Sequence, residues 1–185
     1  MQKRAEQTRQ ALIRATAELI GDGGLRAAGL VNICRTAGVS RGALYHHFDT
    51  TEAVAAAVRV RACEVVTGLI DDAFEAPAST GAAHFSTSLC RALREDVTVR
   101  AGLQLSPSGS DGSPRLLDEV LDQVRSRMGE RQSDDLADLA VVVTAGLESL
   151  GRRDATWWDP ETSERIWSVL DRVLSPPAQG SSADG

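Results

Sequence analysis

One segment, residues 37–52, contains most of the side chains that are suited to binding another molecule. Its sequence is AGVSRGALYHHFDTTE. Gly38 stands where a first helix should end, because glycine adopts the left-handed conformation of a helix C-terminus without steric cost. Ser40 is a good N-cap for a second, short helix, which we expect from residue 41 to about residue 48. The segment therefore predicts two helices joined by a tight turn.

The second of these helices should have one buried side and one open side. Leu44 and Phe48 are four residues apart and should pack on the same inner face. A cation, a methyl group and several hydrogen-bonding side chains remain outside, and such a set suits contacts with DNA phosphates and base edges. The residues predicted to contact DNA are Ser40, Arg41, Gly42, Ala43, Tyr45, His46 and His47, together with Thr51 at the start of the next helix.

The residue types also suggest a division of roles on DNA. Arg41 should read a base edge, most simply guanine, and the Ala43 methyl group should meet a thymine. Gly42 would allow close approach of the backbone. The Ser40, Tyr45 and His47 side chains should bind phosphates, and His46 lies at the border between the two roles.

Enzyme chemistry is the rival interpretation, and the sequence offers little for it. His46 and His47 are adjacent, so their side chains point about 100° apart on a helix and cannot share a metal as an i, i+4 pair would. The chain has no Cys-X-X-Cys, P-loop, dinucleotide fingerprint or Gly-X-Ser-X-Gly motif. We therefore expect no catalytic residue, no metal site and no cofactor. An ordinary helical hairpin with a surface Tyr-His-His remains the simplest non-functional alternative.

Composition predicts an all-α protein. Aromatic residues make up 4% of the chain, and no alternating β pattern runs for more than a few residues. There is no signal-peptide core and no run of 18 apolar residues, so we expect a cytoplasmic protein without a membrane partner. Cys34, Cys63 and Cys90 are odd in number and lie in apolar helical stretches, which favours small buried side chains over disulfides.

The net charge of −6 looks unsuitable for a DNA-binding protein until the chain is divided. Residues 1–61 carry nine Lys and Arg against five Asp and Glu, whereas the remainder carries 11 against 21. A basic N-terminal region on an acidic body should direct attraction for phosphate to one end of the molecule.

Helical periodicity and cap residues divide the chain into about nine helices and three regions. We expect a helix-turn-helix domain over residues 1–50, a helical body over 51–175 and a disordered tail over 176–185. Four helix starts are predicted from their caps: Asp49 with Glu52 as a capping box, Ser113 before Pro114, Ser133, and Asp159 before Pro160. The helix after Ser133 should bury a stripe of Leu136, Leu139, Ala140, Val143, Leu147 and Leu150.

The string GVSRGALYHHF resembles the recognition helix of the TetR (tetracycline repressor) family of transcriptional regulators. Within that family, LREDVTVRAGLQLS (residues 93–106) is similar to the start of the ligand domain in the γ-butyrolactone-receptor branch, and WWDPETSERIWSVL is compatible with it. The resemblance implies a repressor that binds a palindromic DNA operator as a homodimer. A small apolar signal, butyrolactone-like or antibiotic-like, would release it. A dimeric interaction protein with reduced or lost DNA binding is the alternative.

The resemblance also implies where the subunits and the effector bind. In the TetR family the last two helices form a four-helix bundle with their twins. The expected contributors here are Val141, Leu147, Ile166, Trp167 and Leu170. The effector would enter an apolar cavity of the body with a few polar groups, and its expected lining is Phe85, Leu89, Leu93, Val99, Leu103, Gln104, Leu117 and Leu121.

Three departures from the family pattern qualify these expectations. Many relatives place a phosphate-binding Lys where this chain has Thr51, and Thr-Ser where it has Ala28-Gly29. The γ-butyrolactone receptors commonly carry a ligand-contacting Trp after the proline of the mid-body helix, whereas no aromatic residue follows Pro114 closely here. The body is also shorter than usual around residues 129–135. The missing Trp and the shorter body resemble the pseudo-receptors of the branch, which respond to antibiotics or their intermediates, whereas the first departure concerns two or three DNA-backbone contacts per subunit.

Overall fold

The computed structural model describes residues 2–75, 80–106, 114–130 and 132–174, and in these ranges it contains nine α-helices and no β-strand. Two short 3₁₀ turns, Leu25–Ala27 and Ala155–Trp158, join helices. The prediction of an all-α fold with about nine helices is confirmed, and the predicted tail over 176–185 lies outside the described residues. The helices are α1 (Gln2–Gly23), α2 (Leu30–Ala37), α3 (Arg41–His47), α4 (Thr51–Glu75), α5 (Gly81–Glu95), α6 (Val97–Gly102), α7 (Leu116–Gly129), α8 (Asp134–Gly151) and α9 (Pro160–Leu174).

The N-terminal helices enclose a core of their own. α1 packs against α2, α3 and α4, and α6 closes this core from the side of the body. The buried apolar side chains at its centre come from four helices and include Leu12, Ile33, Leu44 and Val54. This packing fixes the short α3, which is too short to be stable by itself in water.

The remaining helices form a second and larger core. Its buried side chains come from the later turns of α4, from α5 to α8 and from the 3₁₀ turn before α9. Phe74 and Phe85 are the largest of those that are almost completely buried. The two cores meet within α4, because Val58 belongs to the first and Ala62 to the second. The domain boundary predicted at residues 50/51 stays a prediction. The buried side chains of α4 pass from the first core to the second about two turns after that position.

α6 joins the two cores through an unusually close contact. Gly102 lies against α4, and a Cβ atom at this position would be 2.2 Å from the Cβ of Ala62. Only a glycine allows this approach, since real Cβ atoms do not come so close. α6 is thereby wedged between α1 and α4, at the junction of the N-terminal region with the body.

The start of α7 differs from the prediction. The helix begins at Leu116 with Arg115 as its N-cap residue, two residues after the predicted proline start. The N–H groups of Leu116 and Leu117 donate to the carbonyls of Leu105 and Leu103, both at 3.0 Å. The backbone that follows α6 therefore satisfies the first donors of α7, so no serine cap is needed.

The buried face of α8 is also different from the predicted stripe. Ala137, Ala140 and Thr144 lie inside, whereas Leu136, Leu139 and Val143 are only half-buried. Leu150, the last member of the predicted stripe, is 41% exposed. α7 packs along α8, and small side chains at the contact allow the two helices to approach closely. The predicted N-cap Ser133 is confirmed, since its hydroxyl accepts the N–H of Leu136 at 3.4 Å.

Candidate nucleic-acid interface

The turn between α2 and α3 has the geometry that the sequence predicts. Gly38 adopts φ 66° and ψ 31°, in the left-handed region. Its N–H donates to the carbonyl of Arg35 at 3.3 Å, and the N–H of Val39 donates to that of Cys34 at 3.0 Å. These bonds satisfy the end of α2 and turn the chain sharply into α3.

Ser40 caps α3 as predicted. Its backbone is extended and its hydroxyl oxygen accepts the N–H of Ala43 at 3.1 Å. A hydroxyl has one donor besides its acceptor lone pairs, so the same group is able to donate to a phosphate while it caps the helix. The side chain is exposed at the end of the helix.

The two sides of α3 are clearly separated. Leu44 is 1% exposed and Phe48, just after the helix, is 7% exposed, so both belong to the N-terminal core. Tyr45 is 53% exposed, and Arg41 and His46 are also exposed. The last predicted contacts, Ala43 and His47, are half-buried. The structure thus brings the predicted polar contacts of α3 onto or beside its outer side.

Gly42 on this outer side has room for a side chain. A Cβ atom there would meet a single neighbour outside the helix backbone, the Ser40 hydroxyl oxygen at 3.9 Å. The fold therefore does not require glycine at this position, in contrast to Gly102. A bare backbone in the exposed first turn of α3 is consistent with close approach of a partner.

α1 supports the recognition helix from behind. The guanidinium of Arg9 lies over the Phe48 ring, with its central carbon 5.4 Å from the ring centroid. Phe48 follows α3 directly, so this cation–π contact helps to fix the end of the helix. The His46 and His47 rings pack edge to face, with their centroids 5.2 Å apart.

The cap of α4 was predicted one residue too early. The Thr50 hydroxyl accepts the N–H of Ala53 at 3.1 Å, so Thr50, and not Asp49, caps the helix that begins at Thr51. Glu52 then lies at the second helical position and does not complete a capping box with Asp49. Thr51, where relatives have a phosphate-binding Lys, is half-buried.

Sequence reasoning missed the outer side of α2. Val31 is 58% exposed, and Arg35 is exposed one helical turn later on the same side. The Arg35 guanidinium donates to the Asn32 side-chain oxygen at 3.2 Å, which restricts its orientation. The signal was available in the pattern, because burial of Ile33 and Cys34 leaves positions 31 and 35 outside.

The predicted effector residues lie in the core of the body. Phe85, Leu89, Leu93, Val99, Leu103 and Leu117 are all at most 4% exposed and pack together in the larger core, and Leu121 packs against it. Gln104 is half-buried and lies apart from them in a polar cluster. The assignment of these residues to an effector stays a prediction, and in this structure the apolar ones fill the core.

The predicted dimer residues fall into two groups. Val141, Ile166, Trp167 and Leu170 are half-buried, whereas Leu147 is 3% exposed and has almost no surface to offer a partner. α9 buries Ser163 alone. Within the described residues, α8 and α9 leave further apolar side chains exposed, which are Val142, Leu150, Val169, Val173 and Leu174.

The cysteines and histidines form no metal site among the described residues, where no group of three or more His, Cys, Asp or Glu side chains is placed to hold an ion. Cys34 and Cys90 are buried, as predicted, and Cys63 is half-buried. Burial raises the pKa of the Cys90 thiol to about 11, against the lowering effect of a hydrogen bond with Ser163. No helix in the described ranges has the length and apolar character needed to cross a bilayer.

Comparison with known proteins relates this chain to bacterial transcription regulators. Residues 12–58 match the family described as bacterial regulatory proteins, tetR family. The A-factor receptor protein of Streptomyces griseus is 32% identical over 108 residues, which are 58% of this chain and 38% of that protein. The chain spans only 30 to 38% of the length of the curated relatives that it matches.

Two solved structures have the same fold over most of the chain. A γ-butyrolactone receptor described as ArpA-like superimposes with a TM-score of 0.76 at 25% identity, covering 94% of this chain and 91% of that one. The TetR-family protein CprB of Streptomyces coelicolor, solved in complex with its operator sequence, gives 0.74 at 25% identity over 91% and 89%. Residues 12–58 of this chain are therefore similar to the tetR family of regulatory proteins, and the chain as a whole has the fold of the γ-butyrolactone receptors.

Proposed function

We propose that this protein is a transcriptional repressor that binds a palindromic operator as a homodimer and is released by a small effector. The observation that carries the proposal is the outer side of α3, whose polar residues are exposed and whose glycine has room for a side chain. The tetR-family match over residues 12–58 covers all of α3. We keep residues 1–50 as the proposed DNA-binding domain and 51–175 as the proposed effector and dimerisation domain.

On the operator, Arg41 donates to a guanine edge, while Gly42 lets the backbone come close and Ala43 contacts a thymine methyl group. Ser40, Tyr45 and His47 bind phosphates, with His46 between the two roles and Thr51 near the backbone at the start of α4. The basic excess of residues 1–61 supports this orientation, because the acidic body is repelled from DNA.

The homodimer uses α8 and α9. On α9, Ile166, Val169, Leu170 and Val173 follow the i, i+3, i+4, i+7 spacing of one helix face, and all four are half-buried or exposed. Trp167 on α9 and Val141 on α8, both half-buried, are further proposed contributors. Leu147 supports the interface from within its own subunit, since its side chain is buried there. A pair of recognition helices about one DNA turn apart then reads a palindrome.

The effector is a small, mostly apolar molecule of the butyrolactone or antibiotic-like kind. Support comes from the fold shared with a γ-butyrolactone receptor. Because the expected lining residues fill the core in this structure, the effector must select a conformation in which they separate. It acts only through a difference in affinity between that conformation and the DNA-binding one. No catalytic role is proposed for any residue.

A dimeric interaction protein with reduced DNA binding is the second candidate. The observation that favours it is Thr51, a half-buried side chain without charge where relatives carry a phosphate-binding Lys. Each lost phosphate contact lowers the salt dependence of binding by about one unit of slope. The two candidates therefore make different predictions. A repressor has a specific operator sequence, and an interaction protein has none.

Selection of bound duplexes from random DNA, followed by affinity measurement, tests the proposal. We expect a palindromic motif, and we expect Arg41→Ala to relax the preference at one symmetric pair of positions by about 1–3 kcal/mol per contact. Tyr45→Phe is the matched control, because loss of a phosphate contact should weaken all sequences alike. Recovery of no motif would favour the interaction protein, and an unchanged motif with Arg41→Ala would refute the proposed register.

A further inference from the structure

A large cleft lies where the end of α1 faces the body. Its volume is about 990 Å³, and its walls come from the Ile20–Leu25 region, from α6, from the start of α7 and from the end of α8 with the following 3₁₀ turn. Of the predicted effector residues, it contacts Leu93 and Gln104. The other six predicted effector residues do not line it, so most of the cleft lies outside the apolar centre of the body.

One wall of the cleft is an ordered polar cluster centred on Gln104. Its side-chain nitrogen donates to Oε1 of Glu148 at 2.8 Å, and its side-chain oxygen accepts from Nη1 of Arg152 at 2.8 Å and of Arg115 at 3.3 Å. Glu148 is only 3% exposed. The cluster links the segment after α6, the start of α7 and the end of α8, so its charged groups have fixed positions before any ligand arrives.

The charges that line the cleft are unbalanced. Four arginines, at positions 100, 115, 152 and 153, face two acidic residues, Asp118 and Glu148. Asp118 forms an ion pair with Arg115. The Arg100 guanidinium donates through Nη1 to the backbone carbonyls of Leu93 and Arg94, and these neutral acceptors do not cancel its charge. The body carries an acidic excess elsewhere, so a cationic concavity here is a local exception.

The apolar part of the cleft comes from the end of α1 and from α6 with the segment after it. Ile20, Leu25, Ala101 and Leu105 line this part, and Leu25 is 39% exposed. Trp158 also borders the cleft, but it is 7% exposed, its indole nitrogen donates to the carbonyl of Glu148 at 3.3 Å, and the Arg100 guanidinium covers its ring, with the central carbon 5.9 Å from the ring centroid. An apolar group would therefore find its open surface at Leu25 and not at the tryptophan.

We infer that this cleft is a binding site for a small organic anion, with its acidic group held by Arg152 and Arg153 and its apolar part against the Leu25 side of the cleft. Arg152 is oriented by its bond to Gln104, Arg153 is an exposed cation next to it, and a carboxylate or sulfonate forms charge-assisted hydrogen bonds with such groups. A volume of this size accommodates a molecule of two or three rings. The inference goes beyond the proposed function and does not depend on DNA binding.

The test uses a fluorescent aromatic anion, 1-anilinonaphthalene-8-sulfonate, with the full chain in the absence of DNA. We expect the double variant R152Q/R153Q to weaken its binding by about tenfold or more, which corresponds to about 1.4 kcal/mol, since the charge-assisted hydrogen bonds to the sulfonate are lost. The uncharged analogue N-phenyl-1-naphthylamine should bind the variant and the wild type equally. The charge-preserving variant R152K/R153K should recover most of the anion affinity.

The control is R91Q, which removes a cation from a second groove of about 690 Å³ between α5, α8 and α9. If R91Q weakens anion binding and R152Q/R153Q does not, the anion binds the second groove and the inference is wrong. Equal binding by all variants would also overturn it. The single variant R153Q, at an exposed residue, is the fallback should the double variant unfold, and it too must weaken binding by several-fold.

Discussion

The outer side of α3 and the interior of the body were both predicted from sequence to bind ligands. In the structure, the first is exposed and the second is a packed core. On α3, Tyr45 is 53% exposed and the Gly42 site has open space around it. In the body, Phe85 is fully buried and its predicted companions form one packed core. Exposed residues that do not contribute to the core therefore support the assignment of a binding surface. Buried apolar residues do not, because packing in the core already explains them.

The largest effect is expected when the stabilities of the Phe85→Ala and Tyr45→Ala variants are compared. Truncation of the buried ring should lower the free energy of unfolding by about 3–5 kcal/mol, because it removes apolar contacts and leaves a cavity. Truncation of the exposed ring should change it by no more than about 0.5 kcal/mol. Chemical denaturation of both variants measures the difference. Similar losses would show that Tyr45 has a structural role and would weaken its assignment to DNA.

The next test concerns the exposed apolar face of α9. Val169→Asp should convert the dimer to monomer, since a charge at the centre of an apolar interface costs about 2 kcal/mol or more. Val60→Asp on α4 is the matched control, because Val60 is 54% exposed and Val169 is 45% exposed. Analytical ultracentrifugation should show a dimer for the wild type and for Val60→Asp. A wild-type monomer at micromolar concentration would refute the proposed interface.

A smaller effect should separate folding from DNA binding at Gly42. Gly42→Ala should raise the free energy of unfolding by about 0.5–1 kcal/mol, because alanine is the better helix former and no neighbour obstructs the methyl group. The same methyl group should weaken operator binding by about 1–3 kcal/mol, the usual cost of forcing one into a packed contact. Titration of labelled operator DNA measures the second effect.

Gly68→Ala on α4 is the control for that variant. Gly68 has no neighbour within 4 Å of a Cβ position, so its substitution should show the gain in stability without the loss of DNA affinity. Unchanged operator binding by Gly42→Ala would mean that the backbone of α3 does not approach the DNA closely.

The smallest effect is a pH dependence at Glu148. Burial raises the pKa of its carboxyl group above the ordinary value of 4.5, and the charges of Arg152 and Arg115 oppose this rise. Between the unfolded and folded pKa values the native state holds more protons, so stability falls as pH rises through that window. Glu148→Gln does not titrate, and its stability relative to wild type should therefore improve as pH increases from about 4.5. A constant difference would contradict the raised pKa.

Prediction from sequence mostly succeeded where the determining interactions are local, although the cap of α4 is Thr50 and not Asp49. The left-handed Gly38 and the Ser40 cap depend on residues within one or two turns of each other, and the i, i+4 spacing of Leu44 and Phe48 indicates which side of α3 is buried. It failed where a distant backbone intervenes, as at the start of α7, whose first donors are bonded by carbonyls of residues 103 and 105. The same reason explains the wrong prediction for α8. The helix packs against α7 and buries small side chains such as Ala137 and Ala140, although the leucines are its larger apolar residues.

Helix caps and periodicity are short-range properties, so they are enough to predict a helical chain, a tight turn before a short helix, and the side of that helix that stays outside. The closure of the apolar residues assigned to an effector into a core depends instead on how distant helices pack. The same long-range packing brings Gln104, Arg115, Glu148 and Arg152 together in one cleft. These residues are up to 48 positions apart, and no local pattern specifies which helices bring them together.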